Sequence, residues 1–384
     1  MIPYGKQEIN QNDIDSVIDV LRSDFLTQGP VVPLFEESLS GYVGVKYAVA
    51  VNSATSALHI ACLALGVSKG DVVWTTPISF VASANCALYC GAKIDFVDID
   101  DKTNNLSTKK LADKLLDHKN NNKPLPKVVI PVHLAGHSCD MESIYKLSLE
   151  YGFKIIEDAS HAIGARYKGV PIGNCYYSDI TVFSFHPVKI ITTAEGGMAT
   201  TNDSALFDMM NMLRSHGVTR DENLLKKDCD GPWYYEQQKL GFNYRLTEIQ
   251  GALGISQMAR LSEFIEKRQV ISSNYFKALC NLPIELPVAQ NQSSWHLFII
   301  KLKLGDIGRS HTQVFSELRK RGVGVNLHYI PIYRQPFYQA LGFKPGYCEA
   351  AEHYYQSAIS IPIYHGMTAQ DQNTVVSTLS KVLS

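Results

Sequence analysis

Between residues 45 and 200 the chain alternates short β-branched runs with longer stretches whose apolar positions recur every three or four residues. The run YAVAV at 47–51 predicts a strand covered on both faces, and the periodic stretch 55–65 predicts a helix after it. VVWTT at 72–76 is the next predicted strand, followed by a helix over 81–89. DFVD at 95–98, VVIPV at 128–132 and KIIE at 154–157 continue the series, with a helix opening at Asp140 and running to Tyr151. ITVFS at 180–184 and MATT at 198–201 predict two further strands of the same sheet. Such a rhythm implies a mostly parallel sheet with helices on both faces.

The pattern changes near residue 255. A long helical segment over 247–275 leads to Pro283, Pro287 and the polar loop QNQSS at 290–294. Beyond it, WHLFII at 295–300 and VGVN at 323–326 predict strands, with a helix over 312–321 between them. The expected division is a large domain over 1–255 and a smaller α+β domain over 256–384.

Composition narrows the picture. At 384 residues, with 45% hydrophobic and 19% charged positions, the chain is long enough for two ordinary globular domains or one large domain with an appendage. The net charge of -1, with no block of like charge, gives no support to nucleic-acid or anionic-membrane binding. Eight cysteines are scattered without a CxxC pair, which argues against a zinc site or redox couple and for a reducing compartment. No cationic segment leads into an apolar one at the N-terminus, and no apolar run nears the ~20 residues of a membrane span. A cytoplasmic protein without metal is expected.

The chemistry concentrates in SFHPVK at 184–189, followed by TTAEGG at 192–197, and in KIIEDASH at 154–161. Taken singly, Lys189 is a solvated lysine after a strand and Asp158 a helix cap. Together they supply what pyridoxal phosphate requires: an amine for the cofactor aldehyde, and an acid that keeps the pyridine nitrogen protonated. The loop NSATSA at 52–57 joins a predicted strand to a helix and offers amides and hydroxyls to an anion, although Ser53 or Thr55 also serves as an ordinary N-cap. Ser184 could add a hydroxyl to the same phosphate. Phe80 follows a strand end where an aromatic could stack on a ring, or it is simply core. His161 could bond a phenolic oxygen or lie on a helix surface. No GxGxxG follows the first strand, which sets a dinucleotide-binding dehydrogenase aside.

In order, NSATSALH, TTPISFVASAN, EDASHAIGA, SFHPVKIITTAEGG and GFNYRLTEIQGALGISQ resemble the DegT/DnrJ/EryC1/StrS sugar aminotransferases, and the likeness runs almost end to end. The resemblance implies the α/β, type I aspartate-aminotransferase fold and pyridoxal 5'-phosphate as cofactor. It implies Lys189 and Asp158 as catalytic residues, with Phe80, His161, Thr55, Ser56 and Ser184 around the cofactor. It implies that Asn243 reaches a neighbouring subunit's phosphate, hence a homodimer with shared sites. His328, Arg245, Tyr333 and Thr27 are expected at the substrate, with a loop histidine of no role as the alternative for His328. Retention of Lys189, which some relatives replace by histidine, implies transamination. The segments around Trp233, Asn243 and Tyr333 resemble the subgroup that takes L-glutamate and a UDP-linked 4-keto-6-deoxy-N-acetylhexosamine towards pseudaminic acid. Trp233 and its neighbouring tyrosines are equally expected as a dimer-interface cluster. Ala135 stands where relatives often carry an aromatic, and a wider substrate pocket is expected there. Another nucleotide-linked 3- or 4-keto sugar, an amino-acid lyase and a non-enzymatic cofactor binder are the alternatives.

Overall fold

The computed structural model describes residues 1–227, 231–289 and 292–383. Cys229, Asp230, Gln290 and Asn291, which entered the sequence reading, lie outside the described residues. Helices α1 (Gln11–Leu21) and α2 (Val31–Val43) precede the sheet. Then follow β1 (Tyr47–Val51), α3 (Ala54–Ala64), β2 (Val72–Thr75), α4 (Ala82–Tyr89), β3 (Lys93–Phe96), α5 (Thr108–Asn120), β4 (Val128–Ile130), α6 (Met141–Tyr151) and β5 (Lys154–Asp158). A hairpin of β6 (Arg166–Tyr167) and β7 (Val170–Pro171) leads to β8 (Ile180–Ser184), β9 (Gly197–Thr201) and α7 (Ser204–Arg214). Short strands β10 (Val218–Thr219) and β11 (Glu236–Gln237) come before α8 (Glu248–Met258) and α9 (Leu261–Leu279). The chain ends with β12 (Ile284–Glu285), β13 (Phe298–Leu302), α10 (His311–Lys320), α11 (Pro336–Ala340), α12 (Glu349–Ser357), β14 (Ala358–Ile361) and α13 (Ala369–Leu383).

The large sheet has the order β1-β9-β8-β5-β4-β2-β3, and only β9 runs against the rest. The fold is α/β with a mostly parallel mixed sheet. Its inner strands are almost wholly buried, which is why they read as unbroken apolar runs. Parallel strands bring their carboxyl ends to one edge. Asp158 ends β5, Ser184 ends β8, and β1 and β2 lead directly into the loops holding Ser53 and Phe80. Crevices at that edge are where open α/β sheets bind ligands.

A second antiparallel sheet, β12-β13-β14, has its own core of Phe298, Ile300, Val314, Leu318 and Leu379. The two cores meet inside α9 rather than at residue 255. Phe264 and Ile265 pack under the large sheet, whereas Ile271, Tyr275 and Leu279 pack in the small core. The N-terminus crosses over as well, since Ile2 pairs with Val323 and packs against the small core.

Several expected elements differ. The helix expected over 247–275 is two, α8 and α9, broken where Arg260 turns to donate to Asp13 at 2.5 Å. No Gly or Pro marks that break, so local sequence cannot show it. The strand expected at 295 starts at Phe298, because Trp295 takes φ 49° while Ser293 and Ser294 donate to Gly136 O and His161 O. The run 323–326 makes only isolated bridges, to Ile2 and Ser360. β3 stops at Phe96, since Asp98 turns to accept the Ala350 and Ala351 amides at the start of α12.

The Gly196-Gly197 pair serves close approach, and the left-handed residue beside it is Ala194, at φ 64°. A Cβ on Gly197 would lie 2.4 Å from Ala54 N and 2.5 Å from Ser53 C. Those are backbone atoms and cannot rotate away. Gly197→Ala is therefore expected to cost about 3 kcal/mol, seen as a lower denaturation midpoint at unchanged slope.

Candidate active site

A cavity of about 580 Å³ opens at the carboxyl edge of the sheet. Lys189, Asp158, His161, Thr55, Ser184, Phe80 and His328 all line it, brought from separate segments of the chain. A slightly larger hollow of about 640 Å³ lies beside Arg166 and Lys168. There Lys168 pairs with Glu142, Arg166 donates to Gly169 O, and Lys109 is exposed like both of them, so no buried cation faces that hollow. Volume does not mark the site; unsatisfied chemistry does.

Asp158 is buried and doubly held. Its Oδ2 accepts from Ser83 Oγ at 2.6 Å and its Oδ1 from the Ser160 amide at 3.0 Å. Ser83 in turn shares a 2.7 Å hydrogen bond with Ser79. A carboxylate fixed in this way keeps one geometry for whatever it faces. Lys189 lies just past β8, and burial lowers its pKa to about 8 despite the opposing pull of Asp158. Its amine has no hydrogen-bond or ion-pair partner among the described residues. The hydroxyls of Thr55 and Ser184 have none either.

The start of α3 is capped by Ser53 Oγ, which accepts from the Ser56 amide at 3.1 Å. Ser56 is buried behind it and donates its hydroxyl to Asn52 Oδ1 at 2.6 Å, so Thr55 rather than Ser56 faces the cavity. Phe80 stands on the rim with 60% of its surface exposed, not in the core. His328 is buried, shares a 2.8 Å hydrogen bond between Nδ1 and Ser360 Oγ, and has its pKa pushed down to about 3 by burial and then by Lys189.

These groups fit pyridoxal phosphate. A lone amine, a fixed carboxylate, and two unspent hydroxyls, one at the start of α3 and one at the end of β8, are the functions that an aldehyde, a pyridinium and a phosphate each need. The family model for DegT/DnrJ/EryC1/StrS aminotransferases matches residues 7–380. The chain belongs to that family.

The UDP-4-amino-4,6-dideoxy-N-acetyl-beta-L-altrosamine transaminase of Campylobacter jejuni is 39% identical over 386 residues, 100% of this chain and 98% of that protein. The structure of Helicobacter pylori PseC, an aminotransferase involved in the biosynthesis of pseudoaminic acid, superposes with a TM-score of 0.89 at 33% identity, over 100% of this chain and 99% of that one. A putative sugar aminotransferase from Streptococcus pneumoniae in its PLP form gives 0.88 at 28% identity, covering 100% of both chains. This family member is thus a PLP-dependent sugar aminotransferase with the fold that the motifs implied. Among the described residues no helix is long and apolar enough to cross a membrane.

Other expected residues lie elsewhere. Tyr333 is fully buried, and its hydroxyl is committed to Glu352 and Cys348 O while its ring packs on Phe96, so it cannot meet a substrate here. Thr27, exposed, pairs its backbone with Thr247; Arg245 pairs with Val51; neither lines the cavity. Asn243 is exposed on the same segment and bridged to Ser215. Ala135 is buried at φ 60° outside the cavity lining, so it does not widen this pocket. In the other direction, Ser83, Tyr4 and Tyr329 were missed. Tyr329 follows His328 directly, which was its one available signal; Ser83 and Tyr4 reach the site by tertiary folding alone.

A lysine that loses proton affinity on folding burdens the fold. Lys189→Met is expected to stabilise the cofactor-free protein by about 1–2 kcal/mol at pH 7. Between pH 8 and the ordinary lysine value of 10.5, the unfolded chain keeps a proton that the folded one has lost, so wild-type stability rises. The gap between the two proteins should therefore narrow across that window in denaturant titrations.

Proposed function

We propose that this enzyme moves the amino group of L-glutamate to C4 of a UDP-linked 4-keto-6-deoxy-N-acetylhexosamine. The product is UDP-4-amino-4,6-dideoxy-N-acetyl-β-L-altrosamine, on the way to pseudaminic acid. One observation carries the reaction type: an unpartnered lysine with a pKa of about 8 shares a cavity with a doubly anchored aspartate and two unspent hydroxyls. Full-length similarity to the Campylobacter jejuni transaminase supports the choice of sugar.

Bound pyridoxal phosphate supplies a reactive carbonyl and a ring that accepts an electron pair. The chain does the rest. Lys189 Nζ, poised near neutrality, takes a proton from Cα of the donor and later delivers one to C4 of the sugar. Glutamate leaves as 2-oxoglutarate and the ketone leaves as an amine, so no outside oxidant is needed. Asp158 keeps the ring nitrogen protonated through a charge-assisted hydrogen bond. Thr55 and Ser184, with the amides that open α3, hold the phosphate. Phe80 covers the ring from the rim. His328, neutral across the working pH range, and Tyr4, 5.1 Å from it ring to ring, offer the sugar a polar wall. Asn243, exposed in one chain, completes the phosphate site of a second copy in a homodimer.

The visible absorption of the holoenzyme tests this. L-glutamate alone should bleach the cofactor band, and one UDP-linked 4-keto-6-deoxy-N-acetylhexosamine should restore it. A band indifferent to glutamate would sink the proposal; restoration only by another nucleotide-linked keto sugar would move it to that substrate. Lys189→Ala should abolish turnover, and Asp158→Asn should lower kcat by roughly 10²–10⁴-fold.

A further inference from the structure

The ring of His161 is held from two sides. The Ala135 amide donates to its Nδ1 at 3.2 Å, and its Nε2 lies 3.0 Å from Tyr329 Oη. A backbone amide can only donate, so Nδ1 must be the bare nitrogen and Nε2 must carry the hydrogen. That hydrogen then goes to the phenol oxygen. Tyr329 has its own hydroxyl hydrogen left over, with no acceptor among the described residues, and Tyr329 lines the cavity beside Lys189 and Asp158.

We propose that His161 does not itself contact the ligand, and that it orients Tyr329, whose hydroxyl is the donor presented to an acceptor oxygen in the cavity. His161 is a positioning residue and Tyr329 the contacting one. The arrangement is built in depth. Ala135, whose amide meets the ring, sits at φ 60°, and Ser294 Oγ donates to His161 O at 2.9 Å. His296 lies against the ring at 4.4 Å between centroids. Burial, then Lys189 and His328, hold His161 well below its ordinary pKa, so it stays neutral. Burial likewise raises the Tyr329 pKa and keeps its proton in place as a donor. The acceptor oxygen belongs either to the cofactor, as its phenolic oxygen, or to the sugar, and only this last step rests on the function proposed above.

Histidine-selective ¹⁵N labelling of the cofactor-free full chain, with His161 assigned by loss of its signal in His161→Ala, reads the tautomer directly. A neutral ring protonated on Nε2 from pH 6 to 8 is expected; an Nδ1-protonated ring or an imidazolium would overturn the proposal whatever the enzyme does. In the holoenzyme, Tyr329→Phe should weaken ligand binding about three- to tenfold. The loss appears in cofactor dissociation measured without substrate if the acceptor is the cofactor, and only in KM for the sugar if it is the sugar. The double variant His161→Ala/Tyr329→Phe should then be no weaker than Tyr329→Phe. Additive losses, or a Tyr329→Phe enzyme that binds both normally, would show His161 to be the contacting group. A wild-type protein that fails to bind cofactor would defeat the proposed function but leave the tautomer result standing.

Discussion

A carboxylate in a buried place keeps its position only if its oxygens are hydrogen-bonded, and Asp158 meets that condition with Ser83 and the Ser160 amide. Much else in the site follows from it. Asp158 ends β5, a strand with buried neighbours on both sides, so its position is set by the sheet rather than by a mobile loop. Lys189 lies one strand away beyond β8, where burial lowers its proton affinity and the aspartate partly restores it. An amine between those two influences can both accept and release a proton near neutral pH.

The cavity exists because two cores meet at one edge. The large sheet supplies the lysine, the aspartate and the α3 N-terminus, and the segment around Asn326–Tyr329 reaches in from the small core. Within the large sheet, close backbone approach fixes the α3 end of the cavity: Gly197 passes the loop before α3 with no room for a methyl group. The N-terminal strap adds Tyr4, held because Ile363 donates its amide to Tyr4 O and Gly324 donates to Ile2 O. Residues from the N-terminal strap, the large sheet and the segment 326–329 thus share one wall.

Parts of the fold were legible because local physics wrote them. Buried parallel strands must be apolar on both faces, and helices over them must repeat at 3.6 residues, so β1, β5, β8, α3 and α6 fall within a residue or so of the expected bounds. Elements set by distant side chains were not legible. The break before α9 depends on Arg260 meeting Asp13, and the late start of β13 on Ser293 and Ser294 reaching Gly136 and His161. Neither partner is near in sequence.

The same divide runs through the site. The sequence by itself determined the fold class, the family, and the pairing of Lys189 with Asp158, since the order and spacing of motifs encode which residue ends which strand. Only the tertiary structure decided which residues look into the cavity. It turned Ser56 to Asn52 and buried Tyr333 against Glu352; it brought Ser83 to Asp158 and gave Tyr329 to His161. The physical reason is that a polar side chain goes wherever its hydrogen bonds can be met, and those partners lie up to 168 residues away along the chain.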